Sequence, residues 1–424
     1  MFRKLLAAFT IPDLRNKILI VAFFLVVFRL MATIPIPGID LARLQQFFAS
    51  NQLLGFLNVF AGGTLSNLSI MMLGVGPYIT ATIIMQLLTM LFPNLKQLYY
   101  EEGAVGRAKF NRISRYLTVP LAALQSYGFL NLLRSQSVIG ALPTPDIVRN
   151  IVVIVAGSVI LMWIGELITE QKIGNGTSLI IFAGIVSSLP QIIQQAFVSY
   201  DASMIPTYVA FLVLSVVIIA GVVFVNQGER KIPVAYSKRV RGNKVYGGAM
   251  TYLPLRVNQA GVIPIIFAIS ILLFPQFVAQ IISIFSPDFS VKLNNWIAQI
   301  FNSNLIYGTL YFVLVVAFTY FYTAITFDPK EISKNLQRSG GFVPGIRPGE
   351  ATSTFLSSLT TRITLFGALF LGLVAVLPTI TQAFTGIATL TIGGTALLIV
   401  VSVALETMNQ LNAQLIMREY EGFE

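Results

Sequence analysis

The stretch AGGTLSNLSIMMLGVGPYITATIIMQLL, Ala61–Leu88, lies in a chain crowded with apolar runs, yet it breaks in the middle. Gly74, Gly76 and Pro77 interrupt the helical pattern, and the part before them carries Ser, Asn and Thr. At about 1.5 Å per residue, a helix from Gly62 to Leu73 reaches about 18 Å. A bilayer core is about 30 Å thick. The first half of the stretch is therefore a half-helix, and a full span begins after the break. Two readings of the half-helix stay open: a fixed re-entrant piece, or an element that moves independently of the helix after it.

The surrounding composition sets the solvent. Of the 424 residues, 55% are hydrophobic and 11% charged, where a soluble protein carries about 25% charge. The apolar residues come in runs such as ILIVAFFLVVF and ALLIVVSVAL. The pattern predicts an all-α polytopic membrane protein. Strands of alternating hydrophobicity are missing, which argues against a membrane barrel. The start, MFRKLLAAFTIPDLRNK, lacks the long apolar stretch and small-residue cleavage site of a signal peptide. It reads as an interfacial helix over 1–17, with the first span as the targeting element.

The chain has no cysteine and no histidine. That excludes disulfides, metal sites built on those ligands, haem ligation and histidine acid–base chemistry. The formal net charge of +11 points to loops that meet anionic lipid or an anionic partner. DNA binding is the weaker explanation, because the basic residues are split among loops.

Ten spans are expected, near 18–36, 76–92, 115–134, 147–169, 177–198, 206–227, 258–285, 305–326, 361–380 and 390–417. With the N-terminus inside, the cytoplasmic segments are 1–17, 93–115, 170–176, 227–257, 327–362 and the tail. They hold 23 of the 28 Lys and Arg, all but Arg29, Arg43, Arg134, Arg149 and Lys292. The bias places both termini in the cytoplasm. Ten spans divide into two halves, 18–200 and 201–424, each with an odd number, so a second half built like the first is inverted. Inverted halves place a pathway at their interface.

Two cytoplasmic loops exceed a simple connector. In loop 227–257 the β-prone runs Ile232–Tyr236 and Val245–Thr251 flank a basic turn at Gly242–Asn243, which predicts a hairpin. In loop 327–360, Pro344–Gly345 and Pro348–Gly349 are turn formers that hold Arg347 at a rigid tip.

Bond chemistry finds no equipment. Without histidine there is neither a metalloprotease motif nor a Ser–His dyad, no Asp falls in an expected span, and GNGTSL lacks the lysine of an ATP-binding loop. The chain reads as a non-enzyme with no cofactor. Glu166 and Glu406 are the only acids within spans, each toward the cytoplasmic end, and Arg29 is the clear intramembrane charge. So uncharged a path suits a passive conduit better than a pump. A secondary transporter of a small solute or lipid is the alternative, and a non-transporting scaffold the third reading.

The motifs then become specific. IPIPGID at 34–40, GVGPYITATIIMQLLT at 74–89, KIGNGTSLIIFAGIV at 172–186, VNQAGVIPIIFA at 257–268, GGFVPGIRPGE at 340–350 and GGTALLIVV at 393–401 resemble the bacterial SecY family, the central subunit of the protein-conducting channel. The resemblance implies two inverted five-helix halves around a central hourglass pore. It implies that Gly62–Leu73, with Gly62, Gly63, Ser66, Asn67, Ser69 and Met71, is the half-helix plug of the resting channel. It implies a pore ring of Val75, Ile79, Ile83, Thr177, Ile181, Ile266 and Ile399, with Thr177 standing where the family has an apolar residue. Thr80, Gln125 and Asn258 match polar residues of a gate that opens sideways to lipid. Arg347, together with Arg239, Arg241 and Lys244, matches surfaces that dock a motor or the ribosome. The implied partners are the SecE and SecG subunits, the SecA ATPase, the ribosome, signal peptides, nascent polypeptides and anionic lipids, at the bacterial plasma membrane.

Overall fold

The structure, a computed structural model, describes residues 9, 11–36, 61, 63–65, 68–135, 143–198, 205–236, 239–241, 244–246, 250–385 and 391–421. Its helices in chain order are α1 (Pro12–Met31), α2 (Gly76–Leu91), α3 (Pro93–Tyr100), α4 (Gly103–Ser135), α5 (Thr144–Glu170), α6 (Gly176–Val198) and α7 (Ile205–Gln227). Four strands follow: β1 (Glu229–Tyr236), β2 (Arg239–Arg241), β3 (Lys244–Tyr246) and β4 (Met250–Arg256). Then come α8 (Ile263–Phe285), α9 (Pro287–Asn302), α10 (Asn304–Thr326), α11 (Pro329–Arg338), β5 (Gly341–Phe342), α12 (Glu350–Thr385) and α13 (Thr391–Glu421). A helix thus lies over each of the ten expected spans. Among the described residues, four segments are by themselves long and apolar enough to cross a bilayer: Thr144–Glu170, Leu305–Arg338, Glu350–Thr381 and Ala396–Met417. The first helix already starts at Pro12, so residues 12–17, expected on the membrane surface, continue into the first span. Residues 1–8 of that expected surface helix lie outside the described residues.

Local chemistry sets the helix ends. Proline occupies the first turn of α1, α2, α5, α8 and α9, where its missing N–H costs nothing. Pro93 cannot continue α2, and the chain bends by 116° into α3. The side-chain oxygen of Asn175 accepts from the Ser178 N–H at 3.3 Å and so caps α6.

The helices pack as two bundles. In the first, α4 lies against α2 and α5, and α5 against α6; in the second, α10 lies against α8 and α12, and α13 against α7 and α12. The bundles meet along two seams, α8 on α2 and α4, and α13 on α6. One cluster of buried side chains runs across both, from Val21 and Phe28 in α1 to Leu398 and Val403 in α13. Glycine permits the tightest approaches. A Cβ on Gly176 would fall on the Gly165 carbonyl of α5, and one on Gly367 would stand 2.7 Å from the Val257 carbonyl.

Both long loops fold into one small body. β1 pairs antiparallel with β4, and β2 with β3, in a single continued register: Glu229 opposite Arg256, Ala235 opposite Met250, Arg239 opposite Tyr246, Arg241 opposite Lys244. The expected hairpin is present with its turn between Arg241 and Lys244, but its second strand runs on past Thr251 to Arg256. β5 adds to the far edge of β1, giving the order β4-β1-β5. Ile232, Leu255, Val343 and Leu356 make a shared core beneath.

The close approach of α5 and α6 yields a stability test. Gly176→Val should lower the thermal unfolding midpoint of the purified protein, because overpacking costs about 1–3 kcal/mol and backbone has to move. Gly76→Ala, at a helical position where an added Cβ meets nothing within 4 Å, should stay within about 0.5 kcal/mol of the parent.

Candidate functional site

Val75, Ile79 and Ile83 are spaced by four and share one face of α2. Val75 and Ile83 are buried, as are Ile181 of α6, Ile266 of α8 and Ile399 of α13, and all five belong to the same hydrophobic cluster. Ile79 packs against it half-buried. Six aliphatic side chains of the expected ring thus belong to one apolar cluster, the waist cluster, contributed by four helices, two in each bundle. Burial alone would not separate a ring from ordinary core. The separating feature is a cavity of about 180 Å³, lined by Ile79, Thr177, Ile181 and Ile266 together with Tyr78, Thr82, Gln86, Asn175 and Tyr322. Three of the six, Ile79, Ile181 and Ile266, thus line a recess between the bundles whose wall mixes polar and apolar groups. Thr177 lines that recess, and its hydroxyl donates to Asn175 Oδ1 at 2.5 Å. The helix cap claims its one polar group, which explains how a threonine sits at an otherwise aliphatic level.

The segment before α2 closes on this waist, though not as the expected half-helix. Residues 68–75 run as successive turns with i to i+3 hydrogen bonds: Met72 to Ser69, Gly74 to Met71 and Gly76 to Leu73. Gly62, Ser66 and Asn67 lie outside the described residues. Gly74 at φ +57 folds against the Ala61 backbone, a geometry that a side chain would strain. Polar groups stitch the turns internally. The Thr64 hydroxyl donates to the Met71 carbonyl at 2.8 Å, and the Met71 N–H donates to Ser69 Oγ at 3.2 Å.

The segment is also tied outward. Ile36 N–H donates to the Leu68 carbonyl at 2.9 Å and Ile70 N–H to the Ile34 carbonyl at 3.0 Å. Gly157 of α5 lies directly against the Ile70 carbonyl, and Gly63 lies near Gly184 and the Arg29 guanidinium. Leu68, Met71 and Met72 are fully buried, Met71 within the waist cluster itself. The glycines and small polar residues, which in sequence suggest a loosely held piece, here serve close packing and backbone pairing. A segment too short for a stable helix satisfies its backbone through turns and side chains instead.

The expected side-gate residues do not bond to one another. Helix α8 does meet α2 and α4, so the seam exists. Thr80 Oγ1, however, donates to the Gly76 carbonyl of its own helix at 2.9 Å, the usual use of a helical threonine hydroxyl. Gln125 is buried on α4. Asn258 donates to Asn226 Oδ1 at 2.7 Å and to the Gly261 carbonyl at 3.2 Å, and Asn226 donates to Ser402 Oγ at 2.9 Å. A polar chain within the second bundle thus claims Asn258. Of the acids, Glu166 pairs with Arg115 at 2.6 Å, and Glu406 accepts from Gln410 at 3.4 Å.

Arg347 is exposed between Gly345 at φ +82 and Gly349 at φ +102. Its loop is fastened by Thr352 Oγ1 donating to the Arg347 carbonyl at 2.8 Å and by Ser333 Oγ donating to the Gly349 carbonyl at 2.5 Å. Arg239 and Arg241 lie on β2 and Lys244 on β3. The sheet β4-β1-β5 joins their hairpin to the Arg347 loop, which the sequence left as two separate surfaces.

Sequence reasoning missed the polar lining of the recess. The signal was there on α2: Tyr78, Thr82 and Gln86 repeat the spacing of the aliphatic stripe, three residues on. The Asn226–Asn258–Ser402 chain joins residues 176 apart and carries no such signal.

Comparison with known proteins bears on the whole chain. The SecY family model matches residues 69–408. The protein translocase subunit SecY of Thermus thermophilus is 44% identical, with 100% of this chain and 98% of the relative covered. In three dimensions the chain is similar to a SecY channel studied for how its plug domain stabilises the closed state and maintains a membrane seal, with a TM-score of 0.63, 19% identity, and 94% and 91% of the two chains covered. It is likewise similar to Sec61 in the canine ribosome–channel complex from the endoplasmic reticulum, with a TM-score of 0.61, 18% identity and the same coverage. The family-model match over most of the chain and the full-length identity to a translocase subunit agree, and the chain belongs to the SecY family.

Proposed function

We propose that this chain is the pore-forming subunit of a protein-translocation channel, passing unfolded secretory polypeptides through the waist and releasing transmembrane segments sideways between α8 and the α2–α4 pair. One observation carries the assignment of residues: Val75, Ile79, Ile83, Ile181, Ile266 and Ile399, drawn from both bundles, share one apolar cluster, and Ile79, Ile181 and Ile266 also line a recess between the bundles. Branched apolar groups at a constriction exclude water and ions, yet rotamer changes let them spread around a chain. Thr177 belongs to the recess just beside them. The segment 62–73 is the plug, seated on α5 and on residues 34–36, and its seat is firm enough that a passing chain has to displace it. Arg347 and the hairpin with Arg239, Arg241 and Lys244 form one joined docking surface for an anionic partner, the SecA motor or the ribosome.

The reading extends to setting and partners. The excess of basic residues in 1–17, 93–115, 227–257 and 327–362 places both termini in the cytoplasm of a bacterial cell, with anionic lipid at the same face. Residues 1–17 begin on that surface; 18–200 and 201–424 form the two halves, which SecE and SecG brace. Signal peptides and nascent polypeptides enter through the recess. The motor or translation supplies the work, and the chain makes and breaks no bonds. A small-solute transporter is not retained, since the similar proteins carry translocase names and the waist cluster is apolar.

The direct test is reconstitution with SecE and SecG in vesicles, with SecA, ATP and an unfolded secretory precursor. Protease-protected precursor should accumulate, and Arg347→Glu should abolish accumulation while leaving the thermal midpoint unchanged. Transport of small solutes with no precursor movement would overturn the assignment, and full activity of Arg347→Glu would remove the docking role.

The plug has its own probe, because the chain has no native cysteine. Ser69→Cys, at a fully buried position, should resist a membrane-impermeant maleimide at rest and label severalfold faster while a precursor is in transit. Equal labelling in both states would make the segment a fixed wall.

A further inference from the structure

Helix α9 has no part in the function above. It lies at the far end of α8 from the β-sheet and is joined to both neighbours by single residues, Ser286 before it and Ser303 after it. Ser290 Oγ donates to the Ala279 carbonyl at 2.8 Å, and the Phe301 ring lies 5.6 Å from that of Tyr307. Ala279 precedes the end of α8 by six residues, about 9 Å along the axis. The first turn of α9 is therefore folded back to a level well inside the end of a span that is itself about 34 Å long. If α8 crosses a hydrocarbon layer about 30 Å thick, that level lies near the edge of the layer and somewhat inside it.

The faces of α9 fit this depth. Ser290 and Ile297 are buried against the protein. Phe289, Leu293, Trp296 and Ile300, spaced 4, 3 and 4, form an apolar stripe on which Phe289 is 57% and Trp296 61% exposed. Asp288, Lys292, Asn295 and Gln299 repeat the same spacing one residue earlier and are all exposed. The polar stripe carries one acid and one base, so charge gives it no preference for an ionic partner. The apolar stripe continues into exposed Leu305 and Ile306 at the start of α10, and then Leu310 and Val313, a surface that faces lipid in a spanning helix. That continuity selects lipid as the occupant.

We propose that α9 is an interfacial anchor that buries Phe289 and Trp296 at the boundary of acyl chains and headgroups. It thereby pins to the membrane surface the ends of α8, which lies on the side seam, and of α10, which packs against α8. Amphipathic helices bind there through their apolar area, and indoles favour that layer. The inference rests on the chain's spanning a bilayer and not on what passes through it.

The test needs no translocation. The chain has two tryptophans, and Trp163 is 62% exposed on α5, so Trp163→Phe leaves Trp296 as the sole indole at little structural cost. The full chain is reconstituted in phosphatidylcholine vesicles with acyl chains brominated either near the carbonyl or near the bilayer midplane. Blue-shifted emission, quenched more by the shallow bromines than by the deep ones and little by aqueous iodide, is expected. Strong iodide quenching without bromolipid quenching, quenching by neither, or stronger quenching by the deep bromines would each overturn the proposal. Phe289→Trp in a chain lacking both native tryptophans should give the same profile and guards against a local effect at Trp296.

Discussion

The structure depends on a buried apolar cluster shared between the two bundles. Each bundle buries its own apolar faces, and the cluster runs on from one half into the other. Val75, Ile83 and Ile181 come from the first bundle, Ile266 and Ile399 from the second. A contact made of branched hydrocarbon has no directional bonds to break. It can separate and reclose without leaving an unsatisfied polar group, which a hydrogen-bonded seal could not do cheaply. The polar groups of this region are held one step away, in the recess, where Asn175 caps α6 and Tyr78, Thr82 and Gln86 line the approach.

The segment before α2 packs into the same cluster. The turns at 68–75 place Met71 in the waist cluster and hand their backbone groups to residues 34–36. Glycines at 157 and 74 let that segment lie flat on its neighbours. On the other face, the sheet β4-β1-β5 gathers both long loops over one core. The helices α8 and α12 follow β4 and β5 directly in the chain.

Much of this was legible in the letters. Apolar runs marked ten segments, each of which carries a helix, and the spacing of 75, 79 and 83 marked one face of α2. The turn at Gly242–Asn243 set the hairpin register around it. The failures have a common cause. Hydropathy counts transfer energy but not who claims each polar group. It suggested a half-helix at 62–73, where Thr64 and Ser69 bind backbone and wind turns instead. The family resemblance grouped Thr80, Gln125 and Asn258 at a side gate, and in the structure Thr80 is spent on its own helix and Asn258 on Asn226. Partners across long separations, such as Ser402, are set by tertiary packing and leave no local trace.

Resting ion conductance across planar bilayers tests the central claim most directly. Ile181→Asn combined with Ile266→Asn wets the waist while leaving the turn segment untouched. The account predicts that the parent channel is silent at rest and that the double variant carries a steady ion current while still passing precursors. A double variant as tight as the parent would mean that the seal lies elsewhere.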